Sequence, residues 1–297
     1  MGKNAQPSAC SSSRATCIAS HRRTPMRADL HVHSTASDGT LSPRALVSLA
    51  ELNGVDVLAI ADHDSVEGIE EASNASHDAH VTLVPAVELS ANDDGRDIHI
   101  LAYHVDATDH ALLELLAKSR AVRVLRAKAM VAELQSAGFD IDFDDVTAVS
   151  GDAAVGRSHV ARALVGLGHS LSVTDAFSRL IGRGRPFYIA KESSSSKETI
   201  AAVRRFGAIP VLAHPGITKV DDLIPGMVAD GLLGIEAYHA DHDAADRIRY
   251  ATLASRFGLV ATGGTDYHGP EAPNPELGSV DVPDAEIRKL LLLGRIE

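Results

Sequence analysis

Val55-Asp56-Val57-Leu58-Ala59-Ile60-Ala61-Asp62-His63-Asp64-Ser65 is the stretch whose reading decides the fold. A short apolar run closed by polar breakers reads as a buried strand. The helix-like segment Val66–Ala79 follows it. Upstream, Pro43–Asn53 reads as a helix, with Ser42 as N-cap and Gly54 as stop. The same unit recurs along the chain. Val81–Val87 reads as a strand ending on Glu88, and Asp97–His104 is a further apolar run with His99 inside it. Ala208–Ala213 leads into His214-Pro215-Gly216, Leu232–Tyr238 into His239, and Leu259–Thr262 into Gly263-Gly264-Thr265-Asp266-Tyr267-His268. Ser195 with Glu198 forms a capping box for a helix running to Phe206, and Ala245–Phe257 is another helix. Alternating strands and helices with polar residues at strand C-termini predict an α/β fold with a parallel sheet, because strand-to-helix loops converge on one face. Six to seven strands suit a barrel somewhat short of eight; an open doubly wound sheet is the alternative.

The alternation breaks between residues 106 and 185. Asp109–Ala137 reads as one long helix ending at Gly138, followed by Ser158–Val165 and Val173–Ile181, with no strong strand signal between them. The chain therefore divides into a barrel from residues 26–105 and 186–297, a helical insertion or cap at 106–185, and an N-terminal extension, 1–25, read as disordered or mis-assigned.

Composition narrows the function. Formal net charge is −12, and residues 1–27 hold five basic residues and no acid, so the body carries −17. Such a body argues against binding duplex DNA but not against a small phosphorylated substrate, because bound cations invert the local sign. Both cysteines, Cys10 and Cys17, lie in the extension, so the body has neither a disulfide framework nor a thiolate site, in keeping with a reducing, cytoplasmic setting. No apolar stretch approaches a membrane span.

The chemistry lies in the imidazoles and carboxylates at the strand ends. His31 and His33, spaced i, i+2 in Asp29-Leu30-His31-Val32-His33, point to one side of a strand and can share one metal. Asp38, in Ser-Asp-Gly, reads alone as a turn residue. Asp62 or Asp64 is placed to orient an imidazole, and Glu88 to bridge two cations. Nitrogen and oxygen donors without thiolate suit borderline or hard divalent ions.

Together, Asp29-Leu-His-Val-His-Ser, Asp62-His-Asp, Glu88, the His99 strand, Ala-His214-Pro and Gly-Thr-Asp266-Tyr-His268 resemble the PHP (polymerase and histidinol phosphatase) family over about residues 26–275. They most resemble its stand-alone bacterial branch, which acts on nucleoside 3′,5′-bisphosphates and 5′ ends of short RNA and has a helical insert in this position. The resemblance implies a distorted (β/α)7 barrel with a trinuclear centre, often manganese-loaded, with iron or zinc as alternatives. It implies that His31, His33, Glu88 and Asp266 hold one metal, Glu88, His99 and His214 a second, and Asp38, His63 and His268 a third. It thus gives a role to Asp38, and to His99, whose mid-strand place the end-of-strand argument does not predict. The attacking group would be a hydroxide on the cations held by Glu88, His31, His33 and Asp266, with His242 a candidate proton donor.

Gly156-Arg157-Ser158-His159 at a helix start combines backbone N–H groups, a guanidinium, a hydroxyl and an imidazole, which suits a phosphate. The bland reading is a capped helix with surface charges. The branch implies that this stretch grips the substrate's other phosphate. Tyr238, His239 and His242 are further candidate contacts, while Arg183, Arg185 and Lys191 read as ordinary loop charges. His21, His77, His80, His104, His110 and His169 read as solvated or structural. The expected reaction is removal of the 3′-phosphate from nucleoside 3′,5′-bisphosphates, with trimming of short RNA by the same centre. Histidinol-phosphate hydrolysis and a non-catalytic accessory module are the alternatives. The expected partner is a phosphorylated nucleotide or short oligonucleotide; oligomeric state is left open.

Overall fold

A computed structural model describes residues 1–2, 25–272 and 276–294. Cys10, Cys17, His21 and nearly all of the expected extension lie outside them. The strands are β1 (Ala28–Val32), β2 (Val57–Ile60), β3 (Thr82–Leu83), β4 (Ala86–Asp93), β5 (Arg96–Tyr103), β6 (Ile209–Leu212), β7 (Gly234–His239) and β8 (Val260–Gly264). The helices are α1 (Pro43–Leu52), α2 (Ile69–Asp78), α3 (His110–Ser136), α4 (Phe143–Ser150), α5 (Arg157–Gly166), α6 (Val173–Ala176), α7 (Ser196–Arg205), α8 (Pro215–Thr218), α9 (Ile224–Ala229), α10 (Ala244–Phe257) and α11 (Asp284–Leu293).

The mixed α/β class matches the expectation. The ladders differ from it in two ways. They form two sheets, β1-β2-β3 and β4-β5-β6-β7-β8, rather than one closed ring. Single bridges, Val32 with Tyr267 and His63 with Glu88, link them. In addition, β5 runs antiparallel to both β4 and β6, so the sheet is not wholly parallel. The reversal explains His99. It lies in the N-terminal half of β5, and on a reversed strand that half reaches the face where the parallel strands end. Glu88 also departs from expectation: it sits inside β4 instead of closing a strand, because Pro85 separates β3 from β4.

Apolar alternation builds the layers. One core joins Leu89, Ile98, Ile100 and Leu212 to helix residues such as Ile200, Met227 and Tyr250. A separate core has all its buried residues between 127 and 181, around Met130, Leu134, Val160 and Ile181. The long helix α3 belongs to both: Leu112 and Leu116 pack on the sheet, while Met130 and Leu134 pack in the helical layer. Arg123 lies buried between these two halves. Among the described residues, no helix is long and apolar enough to cross a membrane.

Candidate metal centre

The bridges that join the two sheets fall among the strand-end donors. The His33 amide donates to the Tyr267 carbonyl at 2.9 Å, and the Asp266 amide to the His31 carbonyl at 2.8 Å. The Glu88 amide donates to the Asp62 carbonyl at 3.1 Å, and the Asp64 amide to the Glu88 carbonyl at 2.9 Å. Gly264 makes the first junction possible, because a Cβ there would lie 2.6 Å from the His31 backbone nitrogen. His214 and Asp266 both have positive φ, 28° and 52°. Such backbone costs about 1–3 kcal/mol per residue and collects at functional sites.

Glu88 is the hub. Its Oε1 lies 2.7 Å from His99 Nδ1 and 3.1 Å from His214 Nε2. Its Oε2 lies 3.0 Å from His63 Nδ1 and 3.3 Å from both His31 Nε2 and His33 Nε2. Asp266 Oδ1 is 3.0 Å from His33 Nε2. Asp38 Oδ1 is 3.3 Å from His268 Nε2. All nine expected donors therefore meet in one place, although their sequence positions span 31 to 268. The spacing of His31 and His33 does what strand geometry predicts, bringing their Nε2 atoms to 3.2 Å.

The donor set fits divalent cations. Asp38 Oδ1, His63 Nδ1, Glu88 Oε2 and His99 Nδ1 are buried and make no hydrogen bond despite these short approaches. Buried polar atoms normally find a partner, so several orphans aimed at one another fit a cation. Among the described residues, four groupings have donor atoms within 4.8 Å of one another: His31, His33 and Asp266; His63, Glu88 and His99; His33, Asp38, His63 and His268; and His31, Glu236 and His239.

Electrostatics follow from this crowding. Burial alone would raise the Glu88 carboxyl, but His63, His99 and His31 hold it well below the usual range. Asp266 and Asp38 are held low in the same way by facing histidines. Burial alone would lower His33, yet hydrogen bonds and charge from Asp266 and Glu88 push it up to about 10. His63, where burial wins, falls to about 4.

The supporting residues differ from expectation. Among the described residues, neither Asp62 nor Asp64 hydrogen-bonds an imidazole. Asp62 instead holds the loop after β1, accepting from Ser34 N, Ser34 Oγ and Ser37 Oγ at 2.7, 2.6 and 2.5 Å. The carboxylate that orients an imidazole is Glu236 on β7, 3.1 Å from His31 Nδ1. Glu236 Oε2 also accepts from the His214 amide at 2.8 Å. The signal for it was an acid inside an apolar strand, two residues before the Tyr-His pair. Asp29 faces Thr265 and Gly278 instead of the donors.

A cavity opens beside His63, His99 and Asp38, and Arg123, Arg126, Arg157 and Lys191 line it. Asp64 holds two of these cations, with Oδ2 2.5 Å from Arg123 Nε and 3.0 Å from Lys191 Nζ. Lys191 is thus a buried member of the site, which corrects its reading as a loop charge. Burial and Arg123 push it down to about 8 against the pull of Asp64. Arg126 Nη2 is buried without a hydrogen bond, although Asp97 Oδ2 lies 3.5 Å from it. Arg157 faces the same cavity, its guanidinium over the Phe177 and Tyr188 rings.

Other expected contacts are placed differently. His159 is buried, and its Nδ1 accepts from the Gly156 amide at 2.9 Å, so it caps its own helix. The hydroxyl of Ser158 donates to Asp38 Oδ2 at 2.7 Å. His242 is corrected as proton donor: its Nδ1 bonds the Ala237 carbonyl at 3.0 Å and its Nε2 accepts from the Gly216 amide at 3.0 Å, so both nitrogens are used. Tyr238 packs against the apolar cores. His239 remains at the centre. Its Nδ1 accepts from the Asp241 amide, which puts the ring proton on Nε2, an atom without a hydrogen bond that faces Asp266 Oδ2 at 3.9 Å.

A family profile described as the PHP domain matches residues 29–141. A 5′-3′ exoribonuclease of Haemophilus influenzae is 36% identical over 247 residues, covering 82% of this chain and 90% of the relative. The chain belongs to the PHP family. A 3′,5′-nucleoside bisphosphate phosphatase of Chromobacterium violaceum is 30% identical over 85% of this chain and 91% of its own length. The crystal structure of a candidate metal-dependent phosphoesterase from Bifidobacterium adolescentis superposes with a TM-score of 0.84 at 36% identity, covering 91% of this chain and 97% of that one. These relatives place this PHP chain among enzymes that hydrolyse phosphate esters.

Proposed function

We propose that this PHP protein removes the 3′-phosphate from nucleoside 3′,5′-bisphosphates and trims short RNA from its 5′ end with the same centre. The observation that carries the reading is the cationic cavity of Arg123, Arg126, Arg157 and Lys191 opening directly beside the donor cluster. One phosphate sits at the cluster while the other is held in the cavity. Guanidinium groups suit such a phosphate, because they bond it in a bidentate way. Arg126 Nη2, ion-paired with Asp97 at 3.5 Å but without a hydrogen bond, has protons to offer a phosphate oxygen.

His31, His33, Glu88 and Asp266 would hold one cation, Glu88, His99 and His214 a second, and Asp38, His63 and His268 a third; manganese is our choice among the ions this donor set accepts. When bound, such ions bring a water near neutral pKa and neutralise phosphoryl charge. Glu236 keeps the His31 proton on Nδ1, so Nε2 is free as a donor atom. His268 is held in the same tautomer by the Asp266 carbonyl, 2.7 Å from its Nδ1. The Nε2 proton of His239 is placed to bond a phosphoryl oxygen. Counting β3 and β4, interrupted only at Val84-Pro85, as one strand, we read the two sheets as arcs of a distorted seven-stranded barrel, with residues 106–185 as a cap supplying Arg123, Arg126 and Arg157.

The cavity disfavours histidinol phosphate, whose ammonium would meet four cations. The test is phosphate release from adenosine 3′,5′-bisphosphate against histidinol phosphate with the manganese-loaded protein. Preference for the bisphosphate supports the reading, and equal or reversed rates contradict it.

A further inference from the structure

We propose that Ser158 is a positioning residue for the cation set of His33, Asp38, His63 and His268, acting through Asp38, so that occupancy of this set depends on docking of the helical layer. The inference rests on the metal-centre reading above and extends it to residues of the insertion. Asp38 differs from its companions in place. His33, His63 and His268 follow strand ends closely, whereas Asp38 lies on the loop between β1 and α1. Asp62 holds that loop at Ser34 and Ser37 from the sheet side.

Its other side is held by the insertion. The Ser158 hydroxyl donates to Asp38 Oδ2 at 2.7 Å. Arg162 Nη2 donates to the Asp38 carbonyl. The Ala154 amide donates to the Ala36 carbonyl at 3.2 Å. Asp38 is 4% exposed, and its second oxygen, Oδ1, is buried without a hydrogen bond, 3.3 Å from His268 Nε2. The carboxyl torsion of Asp is soft and roughly two-fold. A bond to Oδ2 therefore fixes where Oδ1 points. A serine hydroxyl has one proton. Spent on Asp38, that proton is not available to a substrate phosphate, so Ser158 serves the cation set in place of the phosphate contact its motif suggests. Partners of metal-holding carboxylates are worth roughly 10–100-fold in metal affinity.

The test is titration of the metal-free full chain with Mn²⁺ alone, read by calorimetry and by metal content after gel filtration. Ser158→Ala should weaken the weakest of three sites by roughly 10–100-fold and leave the other two within about threefold. Ser158→Thr keeps the hydroxyl and should restore that site; a space-filling role would not predict this rescue. Arg162→Met, which removes the second link, should weaken the same site. Three unchanged sites in Ser158→Ala, or no rescue by threonine, overturn the proposal while leaving the three-ion reading intact. Fewer than three ions in the unmodified protein would overturn both.

Discussion

Glu236 accepts the Nδ1 proton of His31 across 3.1 Å, and both residues are fully buried. The bond decides which His31 nitrogen faces Glu88 and Asp266. The same carboxylate fixes the backbone of His214, at positive φ, through a 2.8 Å bond. Glu236→Ala should therefore lower Mn²⁺ affinity by roughly 10–100-fold and activity with it. Equilibrium dialysis checks this, and unchanged affinity would remove Glu236 from the orienting role.

Metal binding should release protons. His31, His33, His214 and His268 are all raised above the ordinary histidine value: burial opposes the shift, and facing carboxylates overcome it. Cations must displace those protons, so affinity rises with pH. Calorimetry in two buffers of different ionisation enthalpy should give heats that differ by the protons released. Identical heats would contradict the stacking of charge described here.

Arg157→Ala should raise KM for a nucleoside bisphosphate at least about tenfold, the scale of one lost charge-assisted hydrogen bond, and leave turnover of a simple aryl phosphate nearly unchanged. The guanidinium lines the cavity next to the cluster and touches none of its donors. Equal losses on both substrates would assign Arg157 to the reacting phosphate instead.

Lys191 gives a pH signature. Its ammonium, pushed down to about 8, is present below that pH and lost above it. KM for the bisphosphate should rise as pH passes through 8, and Lys191→Arg should carry this limb to higher pH. An unfolded lysine titrates near ~10.4, so between 8 and that value the unfolded chain binds more protons. By linkage, this group's contribution to stability then rises with pH. The loss in that window therefore reports binding, not unfolding. A KM flat to pH 9.5 would sink the assignment.

Asp64→Ala should destabilise the fold by about 3–5 kcal/mol, the range for stripping a buried ion pair of one partner. Arg123, 9% exposed, would keep its charge with no carboxylate at Oδ2 distance, and Lys191, 5% exposed, would lose the carboxylate that favours its ammonium. Denaturant unfolding measures this. A change below ~1 kcal/mol, the usual ceiling for an exposed pair, would mean water already screens the triad.

The donors were legible in the chain because each physical signal is local. A short apolar run must be buried, and a histidine or acid at its end has one face to point to. His31 with His33, His63, His214 and Asp266 all follow this rule, and the repeated helix–strand units announce the α/β class. The helical stretch 106–185 was legible too, from the loss of strand periodicity. His99 and Asp38 were not readable this way. His99 depends on β5 running backwards, and Asp38 on a loop that looks like any Ser-Asp-Gly turn. Only the family resemblance supplied them.

Lys191, Arg123 and Glu236 depend on what lies far away in the chain. Nothing in the residues around Lys191 distinguishes it from an exposed loop charge, because its burial and its partner Asp64 come from an element 127 positions distant. His159 and His242 err in the opposite direction: each looks available in sequence, yet the fold uses its nitrogens on backbone groups. Sequence alone determined which residues could carry the chemistry, since side-chain type and hydrophobic period are properties of short segments. Which of them face one another, and which proton or charge each keeps, was decided by the tertiary structure, because burial and pairing are set by neighbours that the chain order does not place side by side.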